Sequence, residues 1–316
     1  MRRAGIDWVR VWLSWAEVET IRGKYDWSRP DAVIQAAAKE GLSVLPLLFG
    51  SPGWAAQRDG HDCLFADCIP FAPASAETRG AFASFAAAAV RRYGPDGDFW
   101  AQHPSIPSRP ITAWQVWNEQ NMNSYFRPRA DPDAYAELLA PTAERIHDED
   151  ADAEILLGGM FGPERRPTLL KATRFLRALY RDHRLLDSFD GVAVHPYSGS
   201  ALGSLAQIRA VRRTIRRHGF GEELWVTEIG WASGGRRSQE LVKDRRTQAR
   251  LLRRTFGRFA DKHERWNLGG AFWYAWRDSE RGSAVCAWCP RAGLISRSGV
   301  KKPAYRVMGR VLADAR

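Results

Sequence analysis

Two glutamates lie at the C-terminal ends of two apolar segments that are far apart along the chain. Glu119 belongs to Ile111–Asn121, which reads ITAWQVWNEQN, and Glu228 belongs to Glu223–Trp231, which reads ELWVTEIGW. Both segments are rich in aromatic and β-branched residues, which favour strands. In a parallel β/α protein, ligands bind at the carboxyl ends of the strands. The sequence therefore indicates a reaction that needs a pair of carboxyl groups.

Strand and helix patterns alternate along the whole sequence, so the sheet that positions these glutamates should be parallel. Amphipathic helices are predicted over Pro167–Arg184 and, as one long helix, over Ser238–His263. Pro141 is expected to kink or shorten the helix that Asp131-Pro132 opens. Seven strands are predicted, and they are centred near residues 9, 45, 114, 155, 192, 225 and 272.

The composition is that of a globular protein, with 45% apolar and 26% charged residues in a chain of 316. We predict a single domain over residues 1–316, because a β/α barrel of roughly 250 residues or more is normally one domain. No apolar run approaches the ~20 residues that a membrane span needs. The net charge of +11 fits either an acidic polymer as partner or solvated helix faces. Paired arginines at helical spacing favour the second interpretation, and no nucleic-acid-binding motif accompanies them.

Several motifs, in order, resemble clan A of the retaining glycoside hydrolases, with families 5 and 39 the most similar. The motifs are AGIDWVRVWLSW, KYDWSRPDAVIQAAAKEGLSVLPLLFGSPGW, WNEQN, VHPY, TEIGW, FWYAW and VKKPAY. The resemblance covers almost the whole chain and implies an α/β fold of the TIM (β/α)8 barrel type. It implies that Glu119, ending strand four, is the acid/base and that Glu228, ending strand seven, is the nucleophile.

The family's strand numbering makes Ser43–Phe49 strand three and Asp7–Leu13 strand two. We therefore expect strand one to lie upstream of Met1, in which case this chain is N-terminally short. A barrel that lacks one strand exposes two hydrophobic strand edges, which is an aggregation hazard.

The resemblance also implies roles for residues around the two glutamates. Arg10 matches an arginine that keeps the nucleophile ionised, as its forked donors suit a carboxylate. Asn118 matches an asparagine that hydrogen-bonds the sugar 2-hydroxyl. His195 and Tyr197, from the HPY motif, match a pair close to the nucleophile, although an isolated histidine of this kind is more often a core residue.

Tryptophan is abundant, with 14 in the chain, and many of them must belong to the core. Trp54, Trp231 and Trp276 lie at predicted strand ends or loops, where an indole face can stack on a sugar ring. The resemblance implies that Trp276, in preference to Trp273, forms the floor of the sugar site.

Two positions depart from the family pattern. No histidine ends the predicted third strand, where the sequence reads LFGSP, and this fits family 39 or a divergent group better than family 5. Gln120 stands in place of the proline that usually follows the acid/base glutamate. We expect this second change to be tolerated, because the residue shapes the turn and does not transfer the proton.

The four cysteines form two close pairs, Cys63/Cys68 and Cys286/Cys289, in loops that follow strands. They fit two local disulfides in an exported protein, one four-cysteine zinc site, or free thiols in a cytosolic protein. The spacing is a poor match to a zinc ribbon, so local disulfides are favoured, while pairing between the two loops stays open.

The resemblance thus implies a retaining hydrolase of a β-linked oligosaccharide or polysaccharide, acting as a monomer without metal or organic cofactor. A transglycosylase and a non-catalytic carbohydrate-binding barrel are the alternatives. The cysteines and the substrate class favour secretion over a cytoplasmic location. The loops that set sugar identity contain Arg129, Arg236 and Arg237, which suit uronic acids.

Overall fold

A computed structural model describes residues 1–162, 171–185, 187–219, 221–236, 239–280 and 286–315. Strands alternate with helices throughout this part of the chain, which confirms the α/β class and the seven predicted strands. The strands are β1 (Trp8–Ser14), β2 (Ser43–Phe49), β3 (Ala113–Asn118), β4 (Glu154–Phe161), β5 (Gly191–His195), β6 (Glu223–Ile229) and β7 (Leu268–Trp273). Their order in the sheet follows the chain, and the pairings of β1 to β4 and of β6 with β7 are parallel.

Ten α-helices are found among the described residues. They are α1 (Trp15–Val18), α2 (Ser28–Lys39), α3 (Gly53–Arg58), α4 (Ala76–Tyr93), α5 (Asp98–Gln102), α6 (Pro132–His147), α7 (Ala172–Leu179), α8 (Ala201–His218), α9 (Arg245–Trp266) and α10 (Pro303–Asp314). No helix in the described ranges is both long enough and apolar enough to cross a membrane.

The chain divides into two compact units. The first, which we call the N-terminal unit, comprises residues 7–160 and a segment that ends at Val192. The second, the C-terminal unit, comprises residues 1–6, a short segment that begins at Phe161, and the chain from Ala193 onward. Strands β4 and β5 contribute residues to both units, and the single-domain interpretation of residues 1–316 stays a prediction.

The N-terminal unit is built on the parallel strands β1 to β4. Every residue of β3 is buried, and β2 is buried except at its first residue, as is usual for strands covered on both faces. Aromatic rings join this sheet to its helices: Phe82 of α4 lies 5.5 Å from Trp15 and 5.8 Å from Trp117, between ring centroids. This layer fixes α4 against the end of β3 that leads to Glu119.

Asp59, directly after α3, ties a long loop to the start of α4. Its carboxylate accepts hydrogen bonds from the backbone N–H groups of Ala74 (2.7 Å) and Ser75 (3.0 Å) and from the hydroxyl of Thr78 (2.6 Å). Partial burial acts to raise the pKa of Asp59, but the hydrogen bonds from Ser75, Thr78 and Ala74 outweigh it and hold that pKa below its usual value.

We expect the variant Asp59→Ala to unfold with a free energy about 2 kcal/mol below that of the parent at pH 7. Because the folded-state pKa is lowered, the contribution of Asp59 is present above about pH 4 and is lost as the pH falls through the folded value. Urea unfolding measured across this range should show the two proteins converging at low pH. Asp62→Ala, at an exposed position nearby, is the control, and an equal loss there would contradict the assignment.

Helix α9 of the C-terminal unit begins later than predicted. Asp244 accepts hydrogen bonds from the backbone N–H groups of Arg246 (2.8 Å) and Thr247 (2.9 Å), which is the geometry of an N-cap. The predicted start at Ser238 lies outside the described residues, and residues 239–244 are not helical. The prediction of one helix from Ser238 is therefore wrong, because an N-capping aspartate was overlooked.

Three further differences concern element ends. Helix α6 continues through Pro141 to His147, so the proline does not end it early. Strand β7 stops at Trp273, which leaves Trp276 outside the strand. Of the predicted helix over Pro167–Arg184, the described part contains α7 followed by a short 3₁₀ turn at His183–Leu185, and its first residues lie outside the described ranges.

Both cysteine pairs form local disulfides. Cys63 is bonded to Cys68, and Cys286 is bonded to Cys289. This pairing excludes the alternatives of a four-cysteine zinc site, of free thiols and of a bond between the two loops.

Candidate active site

The turn that follows β3 carries Glu119 on a strained backbone. Trp117 and Glu119 have φ angles of 70° and 45°, in the left-handed region that residues with a side chain seldom occupy. The pairing of β3 with β4 skips Trp117, because Val116 pairs with Leu157 and Asn118 with Gly159. Strained residues of this kind cluster at functional sites and persist where the surrounding structure holds them in place.

Side chains on both sides of the turn hold it. The indole of Trp117 donates to the carbonyl of Tyr125 (2.8 Å), and the phenol of Tyr135 donates to the carbonyl of Val116 (2.8 Å). The same phenol accepts from the backbone N–H of Gly158 (3.1 Å), so that it joins β3 to β4. Burial raises the pKa of Tyr135, which therefore stays a neutral donor.

Gln120, the residue that departs from the family pattern, has a structural role in this turn. Its side chain is fully buried, and its amide donates to the carbonyl of Gly158 (2.9 Å). The glutamine thus ties the residue after Glu119 to the neighbouring strand. Glu119 is 5% exposed.

Gly158 is the position where the turn has least room. A Cβ atom there would lie 2.2 Å from Oε1 of Gln120 and 2.7 Å from the carbonyl oxygen of Trp117. We expect Gly158→Ala to lower the free energy of unfolding by about 3 kcal/mol, because the backbone at Trp117 must shift. Thermal unfolding checks this against Gly80→Ala in α4, where a Cβ meets nothing within 4 Å. Equal stability of the two variants would show that the turn accommodates a Cβ atom at position 158 without cost.

Arg10, on β1, fixes the orientation of Asn118. Its guanidinium donates to Oε1 of Gln115 (2.6 Å) and to Oδ1 of Asn118 (2.9 Å). Because an arginine only donates, the oxygen of the Asn118 amide faces Arg10 and the amide nitrogen is its donor end. The Asn118 side chain is thus oriented so that its amide nitrogen remains the donor end. The predicted support of Glu228 by Arg10 stays a prediction.

In the C-terminal unit, Glu228 is the penultimate residue of β6 and its side chain is 14% exposed. Tyr197 donates from its hydroxyl to Oε2 of Glu228 at 2.9 Å. His195, the last residue of β5, places Nδ1 3.8 Å from the same oxygen, while its Nε2 lies 3.0 Å from the hydroxyl of Thr227. The structure therefore brings His195 and Tyr197 of the HPY motif to Glu228.

The two tryptophans near the end of β6 and β7 are packing residues in this structure. Trp231 is fully buried and donates from its indole to the carbonyl of Ser198 (2.6 Å). Trp273 lies against it at 5.9 Å between ring centroids and donates to the carbonyl of Ala292 (3.0 Å). Trp231 offers no exposed face for a sugar, so its predicted stacking role is corrected. The cause is the short distance along the chain from β6, which keeps the ring within the core.

The other two predicted stacking residues are partly buried. Trp276 lies beyond β7, 5.7 Å from the ring of Tyr305. Trp54, on α3, donates from its indole to the carbonyl of Glu19 (2.8 Å), and the guanidinium of Arg22 covers its ring at 5.5 Å. Their contacts with sugar stay predictions.

Among the arginines suggested for uronic acids, Arg129 is exposed and forms an ion pair with Asp131 (2.9 Å). Arg236 is exposed, and Arg237 lies outside the described residues. None of this distinguishes the three as a sugar-binding set.

Trp288 was missed by sequence reasoning. It lies between Cys286 and Cys289, and its ring contacts Tyr197 (5.1 Å between centroids) and Tyr274 (5.8 Å). The residue lies outside the motifs given above. The available signal was its place inside a short cysteine-bounded loop after the last strand.

No protein-family model matches the sequence, and no curated protein matches it either. Solved structures do match, over 99% of this chain. A family 39 glycoside hydrolase from the gut symbiont Bacteroides cellulosilyticus has a TM-score of 0.75 at 23% identity. A monomeric β-xylosidase from Caulobacter crescentus has a TM-score of 0.70 at 17% identity. A GH5_18 protein from Bifidobacterium longum subsp. infantis has a TM-score of 0.64 at 16% identity.

The chain spans 59%, 62% and 71% of the lengths of these three structures. Similarity to structures of families 39 and 5 is what the sequence motifs predicted, and it is confirmed for the fold. At these identities the comparison concerns the fold alone.

Proposed function

We propose that this chain is a retaining glycoside hydrolase in which Glu119 is the acid/base and Glu228 is the nucleophile. The observation that supports the proposal is that each carboxyl group lies at the carboxyl end of its own strand. Glu119 directly follows β3, and Glu228 is the penultimate residue of β6. The carboxyl ends of parallel strands share one edge of a sheet, which is the edge used for catalysis in β/α barrels.

The chemistry of a glycosidic bond requires these two groups. The leaving oxygen needs a proton, and the oxocarbenium-like centre needs a carboxylate that attacks it. In a retaining enzyme the two carboxyl groups lie about 5–5.5 Å apart, and the acid later acts as base towards water. The burial of Glu119 suits the first role, because burial favours the neutral form of a carboxyl group. No metal or organic cofactor takes part in this scheme, since side chains supply both functions.

The neighbours of Glu228 support its role as the nucleophile. The hydroxyl of Tyr197 donates to one carboxylate oxygen, which stabilises the ionised form that attacks. We further propose that Arg10 contributes to this ionised state and that the amide nitrogen of Asn118 binds the sugar 2-hydroxyl. Trp276 and Trp54 are the proposed stacking residues.

The substrate proposed is a β-linked oligosaccharide or polysaccharide, bound by a monomer whose sheet is part of a (β/α)8 barrel. The neighbouring structures differ in sugar, since one is named a β-xylosidase and a GH5_18 variant was solved with Manβ1-4GlcNAc. Both disulfides fit an oxidising compartment, so we include secretion in the proposal.

The test is incubation of the protein with a panel of aryl β-glycosides and β-linked polysaccharides, followed by proton NMR of the first anomer released. Hydrolysis with a β product is expected. An α product would overturn the retaining mechanism. Binding without turnover would identify a carbohydrate-binding barrel, and transfer to added sugar acceptors in preference to water would identify a transglycosylase.

A further inference from the structure

We propose that Trp288 is a positioning residue for Glu228, which acts by holding the phenol of Tyr197 against the carboxylate. The Cys286–Cys289 disulfide in turn holds Trp288. This inference rests on the proposed role of Glu228 as the nucleophile, and it adds a second layer to that site in the C-terminal unit.

Tyr197 lies between Trp288 and Glu228 and contacts both. The ring of Trp288 meets that of Tyr197 nearly edge-on, at 5.1 Å between centroids and 67° between planes. Such a contact contributes beyond the area it buries. Tyr197 is 3% exposed, and its hydroxyl lies 2.9 Å from Oε2 of Glu228. A shift of the Tyr197 ring therefore changes the hydrogen bond to the carboxylate.

The backbone of Tyr197 is held separately from its ring. Its carbonyl accepts from the side-chain amide of Gln207 (2.9 Å), and its N–H donates to the carbonyl of His195 (2.9 Å). Three rings contact the phenol: Trp288, Phe161 at 5.9 Å and His195 at 6.3 Å between centroids. Loss of the indole thus leaves the backbone in place while it frees one side of the phenol.

The loop that carries Trp288 is fixed at several points. The indole also contacts the ring of Tyr274, at 5.8 Å between centroids and 66° between planes. The carbonyl of Trp288 accepts from the N–H of Arg291 (3.2 Å), and the buried ammonium of Lys302 donates to the carbonyl of Arg291 (3.3 Å). The disulfide closes the three-residue step from Cys286 to Cys289 around the tryptophan. These contacts hold the indole beside Tyr197.

A donor that is held on an ionised carboxylate stabilises it, and loosening that donor favours the protonated form. For a nucleophile this effect appears in the acid limb of the pH profile of kcat/KM, because only the ionised carboxylate attacks. A purely structural tryptophan would change expression or melting temperature without moving this limb.

The first experiment is a double-mutant cycle between positions 288 and 197. Trp288→Ala should lower kcat/KM about fivefold to tenfold, from loss of the edge contact, and move the acid limb to higher pH. Trp288→Phe, which keeps an aromatic ring, should have values of kcat/KM and of the acid limb close to those of the parent. In a Tyr197→Phe background, Trp288→Ala should have little further effect. An equal fold-loss in both backgrounds would overturn the proposal, because Trp288 would then act independently of Tyr197.

A second measurement separates this proposal from the proposed function. Titration of the Glu228 carboxyl by carbon-13 NMR needs no turnover, and Glu228→Gln assigns the signal. Trp288→Ala should shift the titration to higher pH in the same direction as Tyr197→Phe. An unchanged titration overturns the positioning role. A shifted titration in a protein that hydrolyses no glycoside would leave the positioning role standing and reject the hydrolase.

The disulfide provides a third comparison. Replacing both Cys286 and Cys289 by serine should move the acid limb in the same direction as Trp288→Ala, because the loop loses its closure. The matched control replaces Cys63 and Cys68 by serine, which removes the other local disulfide. An acid limb that responds equally to both pairs would contradict the specific coupling of the Cys286–Cys289 loop to Glu228.

Discussion

Glu228→Ala is expected to reduce hydrolysis of aryl β-glycosides by about ten-thousandfold or more, as removal of an attacking group does in other covalent enzymes. In the proposed mechanism this carboxylate forms the glycosyl-enzyme, while Tyr197 donates a hydrogen bond to it and His195 faces the same oxygen. Added azide should restore turnover and give the α-glycosyl azide, because the small anion attacks from the face that the carboxylate has vacated.

Glu264→Ala is the matched control, because that side chain is 91% exposed on α9. It should retain the parent activity. If Glu228→Ala kept activity within tenfold of the parent, or if azide gave the β product, Glu228 would not be the nucleophile. Glu228→Gln, which keeps the size of the side chain, should bind substrate without turning it over.

Glu119→Ala is expected to have an effect that depends on the leaving group. Loss of general acid catalysis should cost about a thousandfold with poorly activated leaving groups such as alkyl alcohols. With a dinitrophenyl glycoside the first step needs no proton, so the glycosyl-enzyme should accumulate in a burst. Azide should then speed the second step and give the β-glycosyl azide, since the intermediate on Glu228 is still formed.

The opposite azide products from the two variants distinguish the two carboxyl groups from each other. Glu144→Ala, at an exposed position on α6, is the control for Glu119. A loss that was uniform across leaving groups, with no burst, would show that Glu119 is not the acid and would return the turn after β3 to a structural role.

The secondary structure was predictable where local signals agreed with one another. Ser43–Phe49 is apolar after its first residue, and the structure gives β2 the same bounds. Serine is a favoured N-capping residue, and the hydroxyl of Ser75 accepts from the N–H of Thr78 at the start of α4. The start of α9 was missed because Ser238 and Asp244 are both good capping residues. Choosing between them requires the contacts of the preceding loop, where the carbonyl of Ala232 accepts from the N–H of Lys243.

The sequence motifs named candidate site residues, but they did not predict which side chains contact one another. The order of the WNEQN, HPY and TEIGW motifs predicted Glu119, Tyr197 and Glu228 as site residues, and the structure places the hydroxyl of Tyr197 on Glu228. The left-handed backbone at Glu119 carries no signature in the sequence, because glycine or asparagine would be expected there. The edge contact of Trp288 joins residues that are 91 positions apart in number, 197 and 288, and depends on how the loop after β7 folds.

Lys302 joins two segments that follow different strands, so neither segment can be exchanged alone. Its buried ammonium, with a pKa lowered by burial despite the neighbouring Asp278, donates to Asp278 (2.6 Å) and to Ser233 (2.8 Å). Those two residues sit in the segments after β7 and β6, and Lys302 itself precedes α10. A loop graft from a protein of similar fold that replaces one of these segments would leave the Lys302 ammonium without one of its acceptors. Positions 233, 278 and 302 should therefore be transplanted together, as one cassette.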